Sequence, residues 1–304
     1  MDSIKILDQY VDDHCAIYNA DTVEAIRMFG DDSVDMEIYS PPFSSLYTYS
    51  NSDRDLGNCK SDDEFFEHFR FITEGLFRIL KPGRIMAVHC MNLPTSKERD
   101  GYIGIRDFRG DLIRAFQDVG FIYHAEVCIW KNPVTAMQRT KALGLLHKQL
   151  KKDSCMSRMG IPDYVVFMRK PGENQNRVTH TNESFPVAEW QDYASPVWDE
   201  LNTPVWWDIN QSDTLNARMP NDDESERHIC PLQLPVIERC IRMYSNEGDV
   251  IFTPFLGIGS EVYQAILMGR KGIGVELKTA YFDAAVENIK SAEMEIQQTS
   301  LFDL

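Results

Sequence analysis

Short apolar runs alternate along this chain with amphipathic stretches of helical period. Ile17-Tyr18-Asn19-Ala20-Asp21 reads as a short strand feeding a helix over about Thr22 to Phe29, and Ser33 to Tyr39 as a second strand ending at Ser40-Pro41-Pro42-Phe43. Residues 44–61 are polar and read as a long loop. Asp62-Asp63-Glu64 then opens an amphipathic helix to Leu80, with acids at its positive end and Lys81-Pro82-Gly83 as its stop. Arg84 to His89 reads as a buried strand, Arg106 to Val119 as a helix and Phe121 to Trp130 as a strand. A helical pattern over about Thr140 to Lys152 precedes a strand at Tyr164 to Met168, and residues 172–226 show little period and predict loops forming a lobe. The chain then resumes its rhythm: helix Leu232 to Tyr244, strand Val250 to Thr253, helix Ser260 to Met268, strand Gly272 to Glu276 and a last helix from Ala280 to Glu293. This order predicts an α/β fold, a largely parallel sheet with helices on both faces.

With 304 residues, 43% apolar and 26% charged, the chain can bury a sizeable core, which excludes a disordered or disulfide-stapled protein. It holds no long uninterrupted apolar run, and Met1-Asp2-Ser3-Ile4-Lys5 is unlike a signal peptide, so a soluble, cytoplasmic protein is expected. Seven scattered cysteines without C-x-x-C spacing predict reduced thiols, and the histidines form no metal motif, so no metal is expected. The net charge of −16 argues against nucleic acid only if it is evenly spread. It is not: Lys131 to Lys170 holds nine Lys or Arg against Asp153 and Asp163. Beside Lys131, Arg139, Arg169 and Lys170, that window contains five candidate DNA contacts, Lys141, Lys148, Lys151, Lys152 and Arg158.

Two loops carry candidate chemistry. Phe255-Leu256-Gly257-Ile258-Gly259-Ser260 sets a G-x-G turn between a strand and a helix, where backbone N–H groups can approach a ligand. Glu276 ends the next strand, the place from which an acid accepts hydrogen bonds from ribose hydroxyls, so the pair predicts a nucleoside cofactor. Val262 stands where the dinucleotide fingerprint would have its third glycine, which disfavours NAD. Ser40-Pro41-Pro42-Phe43 also follows a strand. The prolines donate no N–H and stiffen the backbone, so the Ser40 oxygen and the Pro41 carbonyl can accept both hydrogens of a planar amine while Phe43 stacks on its ring.

Together with Tyr18-Asn19-Ala20-Asp21 and Leu80-Lys81-Pro82-Gly83, these motifs resemble the DNA amino-methyltransferases that use S-adenosylmethionine on adenine N6 or cytosine N4. The Pro-Pro element precedes the glycine loop, which is similar to the permuted β class and its phage-type orphan enzymes. The resemblance implies a seven-stranded mixed, mostly parallel Rossmann-like sheet. It divides one methyltransferase domain into a catalytic half (14–130), a basic segment with target-recognition region (131–226), a cofactor half (227–290) and a flexible tail (291–304). It implies Ser40, Pro41, Pro42 and Phe43 as catalytic residues, and Asp21, Phe255, Gly257, Gly259, Ser260 and Glu276 around the cofactor. His228 and Pro231 match the family's closing segment, although Cys230 precedes that proline where the family commonly has His. Adenine N6 is the expected acceptor, with cytosine N4, then RNA or protein glutamine, as alternatives. Double-stranded DNA is the expected partner and a second copy of the chain a further one. Gln298-Thr299-Ser300-Leu301-Phe302 resembles the peptide that docks on the bacterial DNA sliding clamp, through Gln298, Leu301 and Phe302.

Overall fold

The computed structural model describes residues 4–43, 55–59, 61–132, 151, 160–194, 205–215 and 231–302. Strands β1 (Ile6–Val11) and β2 (Cys15–Ala20) form a hairpin whose turn is held by Asp12 Oδ1, which accepts the N–H groups of His14 at 2.7 Å and Cys15 at 2.8 Å. Asp21 caps helix α1 (Thr22–Ala25), its carboxylate accepting the Val23 N–H at 2.9 Å. Strand β3 (Val34–Tyr39) is buried throughout. Ser61 caps α2 (Asp62–Ile79), whose Phe65, Phe69, Ile72, Leu76 and Ile79 make one apolar face.

Strand β4 (Leu80–Met91) starts directly from that helix, so Lys81-Pro82-Gly83 lies within a strand and not in a turn after the helix. Then come β5 (Leu93–Pro94), α3 (Lys97–Asp100), β6 (Ile105–Arg106), α4 (Phe108–Asp118), β7 (Ile122–Ile129) and β8 (Asp163–Arg169). The rest is α5 (Val187–Ala194), β9 (Val205–Trp206), α6 (Leu234–Tyr244), β10 (Val250–Thr253), α7 (Ser260–Leu267), β11 (Lys271–Glu276) and α8 (Thr279–Phe302).

Among the described residues nine strands make the main sheet, in the order β1-β2-β11-β10-β3-β4-β8-β7-β9, while β5 and β6 pair separately. β2, β11, β10, β3 and β4 run parallel, β8 returns antiparallel to β4, and β7, antiparallel to β8, runs in the common direction again. Those seven strands meet the expected sheet, and β1 and β9 extend its edges. The sequence reading missed β1 because it is an exposed edge with Leu7 and Val11 facing solvent and no apolar alternation. Helices α1, α2 and α4 cover one face around an aromatic cluster of Phe65, Phe69, Phe108 and Phe116. The other face packs Met36, Ile38, Val165 and Phe167 under α6, and α7 and α8 enclose a third cluster with Ile17 and Leu256.

The close helix–strand approach that a third glycine would provide comes here from the strand side. A Cβ on Gly272 would meet Val262 Cγ1 of α7 at 2.5 Å.

Two further expectations are corrected. The last helix does not stop at Glu293 before a flexible tail. Its apolar stripe of Tyr281, Phe282, Ala285, Ile289, Ala292 and Ile296 continues without a breaker, and α8 runs to Phe302. The basic window is also partly spent inside the fold. Lys131 pairs with buried Asp163 at 2.5 Å, Lys170 with Asp32 at 2.7 Å and with the Leu80 carbonyl at 2.6 Å, and Arg169 donates to the Gly172 carbonyl. Lys151 is helical and exposed, whereas Lys141, Lys148, Lys152 and Arg158 lie outside the described residues. Of the lobe's tryptophans, Trp206 is core, while Trp207 is exposed and tilts against Trp130. No described helix is long and apolar enough to cross a membrane.

Candidate functional site

Parallel strands β10 and β3 are neighbours, but the chain leaves β10 toward β11 and β3 toward β4, so their C-terminal ends flank a topological switch point. A cavity of about 340 Å³ opens there, within the range of small-molecule sites. Its wall is built from the ends of four parallel strands. Asp21 follows β2, Ser40 to Phe43 follow β3, Pro254 to Ile258 follow β10, and Glu276 to Lys278 close β11.

On the β10 side the backbone turns through two left-handed glycines, Gly257 at φ +54° and Gly259 at φ +91°, before Ser260 begins α7. A side chain at Gly259 would be strained by that φ and would press on Ala285 Cβ at 3.2 Å. Glu276 fastens the loop: one carboxylate oxygen accepts the Gly257 N–H at 2.8 Å and the other the Lys278 N–H at 2.9 Å. Burial pushes this carboxyl up to about 7, against the pull of those two N–H groups. Thr22 ties the loop to α1 by donating to the Pro254 carbonyl at 2.6 Å, and Asn19 donates to the Glu276 carbonyl at 2.8 Å.

On the β3 side, Ser40, Pro41, Pro42 and Phe43 line the same cavity. Phe43 is buried edge-on against Phe108, with ring centroids 6.5 Å apart, and Phe255 tilts over Tyr39 at 5.8 Å. Pro231 lines the opening; His228 is outside the described residues. Gly259 supports the wall without lining it. The catalytic motif and the remaining cofactor residues therefore converge, although a long stretch of chain separates Ser40 from Gly257.

Several lining residues escaped the sequence reading. Glu261, in the first turn of α7, is buried in the wall, and burial pushes its carboxyl up to about 8. In sequence it looks like an ordinary acid at a helix start. Asp55 and Leu56 come from the polar tract after the Pro-Pro element, His68, Phe71 and Ile72 from α2, and Lys278 and Tyr281 from beyond Glu276. His89 and Asp163 sit behind Ser40: His89 Nδ1 is 3.2 Å from Ser40 Oγ and Nε2 is 3.1 Å from Asp163 Oδ2.

A glycine loop braced by a strand-end acid, beside a rigid Pro-Pro loop on the next parallel strand, defines a Rossmann-like group-transfer fold of the methyltransferase kind. The family model described as DNA methylase, covering the N6 and N4 enzymes, matches residues 34–287. The chain belongs to that DNA methylase family, whose members take a methyl group from S-adenosylmethionine.

Among relatives, the type II methyltransferase M.BglII of Bacillus subtilis is 23% identical over 276 residues, 89% of this chain and 68% of its own length. The orphan methyltransferase M.BamHII of Bacillus amyloliquefaciens is 45% identical over 51 residues, 17% of this chain and 19% of its own length. Among solved structures, a protein of Thermus thermophilus assigned as a DNA modification methylase, in complex with S-adenosyl-L-methionine, superposes with TM-score 0.63 at 20% identity. That match covers 92% of this chain and 95% of the other. The cytosine-N4-specific PvuII DNA methyltransferase gives TM-score 0.62 at 16% identity, covering 93% and 90%. At these identities the structures speak for the shared fold.

Proposed function

We propose that this chain transfers the methyl group of S-adenosylmethionine to the exocyclic amine of a base flipped out of double-stranded DNA, with adenine N6 as the acceptor. The observation that carries this is one cavity in which the Ser40-Pro41-Pro42-Phe43 wall faces the Gly257 loop and Glu276. Glu276 accepts the ribose hydroxyls, Asp21 and Phe255 flank the cofactor's adenosine part, and Gly257, Gly259 and Ser260 let its methionine end approach the start of α7. The buried Glu261 carboxyl lies in the same wall, where a cationic ligand group would pair with it.

At the other end, Ser40 Oγ and the Pro41 carbonyl accept the two amine hydrogens, and Phe43 stacks on the base. Holding both hydrogens orients the nitrogen lone pair toward the methyl carbon, an in-line geometry that lowers the entropic barrier to transfer. A base must leave its stack to reach this wall, and DNA affinity falls to the basic side chains Lys141, Lys148, Lys151, Lys152 and Arg158, of which Lys151 is described and exposed. Docking on a sliding clamp through Gln298, Leu301 and Phe302 would require the last turn of α8 to open.

Adenine N6 is favoured by the likeness of the loop Ser44 to Lys60 and the tract Cys90-Met91-Asn92-Leu93-Pro94 to the phage-type orphan group that includes adenine enzymes. Cytosine N4 is the second reading, favoured by serine at position 40. The deciding experiment incubates the protein with labelled S-adenosylmethionine and mixed-sequence duplex DNA, then identifies the modified nucleoside by mass spectrometry. N6-methyladenine is the expected product. N4-methylcytosine alone would reverse the base, and unmodified DNA would refute the activity.

A further inference from the structure

Ser40 is the cavity-facing end of a chain of polar contacts that runs through the sheet. Its Oγ meets His89 Nδ1 at 3.2 Å, His89 Nε2 meets Asp163 Oδ2 at 3.1 Å, and the same Asp163 oxygen takes Lys131 Nζ at 2.5 Å. Strand register brings these residues together. Tyr39 pairs with Val88 across β3 and β4, which sets Ser40 beside His89, and Met91 pairs with Asp163 across β4 and β8. The side chains of His89 and Asp163 are 10% and 2% exposed.

A buried His–Asp pair can simply brace a loop, but the polarity of this one has a direction. Burial alone would raise the Asp163 carboxyl, yet Lys131 and His89 hold it below the usual carboxylate range, so it is ionised. An ionised acceptor fixes the proton of a neutral imidazole on Nε2, which leaves Nδ1 as an acceptor aimed at the Ser40 hydroxyl. Ser40 then donates inward, and its oxygen lone pairs stay free for an amine hydrogen on the cavity side.

Resting on the amino-methyl transfer proposed above, we infer that His89, aligned by Asp163, is a positioning residue that takes up, through Ser40, the proton the target amine must lose. The amine lone pair forms the nitrogen–carbon bond as the methyl carbon–sulfur bond breaks, and that electron pair stays on sulfur. The alkylated nitrogen gives one N–H proton to Ser40 Oγ while the Ser40 hydroxyl proton moves to His89 Nδ1. His89 becomes an imidazolium held by the Asp163 carboxylate and returns its proton to solvent after the product leaves. The other titratable groups that interact with Asp163 are Cys90 on β4 and Cys128 on β7, both of which also feel the Arg109–Glu126 pair.

The test measures single-turnover methylation of duplex DNA against pH at saturating S-adenosylmethionine, which removes the influence of Glu276 on cofactor binding. The wild-type rate should fall on the acid side, where a protonated His89 can no longer accept from Ser40. His89→Gln should lower the rate constant roughly 10²-fold or more, the scale of a missing proton acceptor, and abolish the acid limb. Its KM for DNA and Kd for the cofactor should stay within about twofold, since ground-state binding is untouched. The Ser40→Ala/His89→Gln double variant should be no slower than the slower single variant. A His89→Gln protein that binds cofactor normally and turns over at the wild-type rate overturns the relay, as does an acid limb that persists unchanged in Ser40→Ala. If His89→Gln does not fold, the Ser40→Ala profile decides alone. A wild-type protein that binds cofactor yet methylates no DNA would overturn the transfer itself, a result distinct from these.

Discussion

Replacing Glu276 with alanine should weaken S-adenosylmethionine binding by an amount its surroundings define. Each carboxylate oxygen already accepts one backbone N–H, from Gly257 and from Lys278, which leaves lone pairs on both for ribose hydroxyls. Losing one charge-assisted hydrogen bond costs about 1.5 to 3 kcal/mol, roughly a 10- to 150-fold weaker Kd. The pH dependence supplies a second signature. Burial raises the carboxyl to about 7, and ribose hydroxyls donate best to its ionised form, so wild-type affinity should fall as pH drops through that value.

Stability runs the other way over the same window. A folded pKa above the ordinary 4.5 means the contribution is complete below that value and is lost as pH rises through about 7. Between about pH 6 and 8, rising pH should therefore tighten cofactor binding while lowering the melting temperature of the ligand-free protein. Titration calorimetry on wild type and Glu276→Ala across that range, with thermal unfolding as the check on folding, measures both. Unchanged affinity in the variant, or a wild-type affinity independent of pH, would refute the assignment.

Among the described residues neither buried carboxyl oxygen of Glu37 has a hydrogen-bond partner, and burial holds its pKa well above the ordinary value. Glu37→Met should therefore raise stability in urea by about 1 to 3 kcal/mol, and a loss of stability would show an unrecognised partner. Gly259→Ala forces an L side chain to φ +91° against Ala285 and should cost about 1 to 2 kcal/mol in unfolding experiments while weakening cofactor binding; a neutral effect would mean the loop relaxes. Changing Lys148, Lys151 and Lys152 to Gln should flatten the plot of log K for DNA against log salt by up to about 0.9 for each phosphate no longer neutralised, and an unaltered slope would place DNA elsewhere. Deleting Gln298 to Leu304 should abolish retention on a sliding clamp and leave methylation of short duplexes intact; an inactive truncated enzyme would make the end of α8 structural.

Elements with a strong local signal were legible in the sequence. The acids at the start of α2, the strand-turn-helix around Gly257 and the alternation from β10 to α8 all announce themselves over a few residues. The wall from Ser40 to Phe43 and the loop with Glu276 were readable for the same reason, since prolines and glycines fix backbone geometry locally. Errors arose where tertiary context decided. Lys131 and Lys170 read as surface charge because sequence cannot show that Asp163 and Asp32 wait for them. The end of α8 read as a tail because polar residues surround Ile296, which joins the same cluster as Val262 and Ile266 of α7.

The polar chain behind Ser40 shows why the remainder of the site was hidden. Nothing in the spacing of residues 40, 89, 131 and 163 relates them, and His89 reads as one polar position in an apolar run. Their meeting depends on β8 returning antiparallel beside β4 with Met91 opposite Asp163, a register set by the burial of Val165 and Phe167 on one face and Val166 and Met168 on the other. A slip of one residue would turn Asp163 to the opposite face and leave its charge without His89 or Lys131. The contacts that orient Ser40 are therefore specified by the apolar residues that hold these strands in register, several positions away from the chemistry they serve.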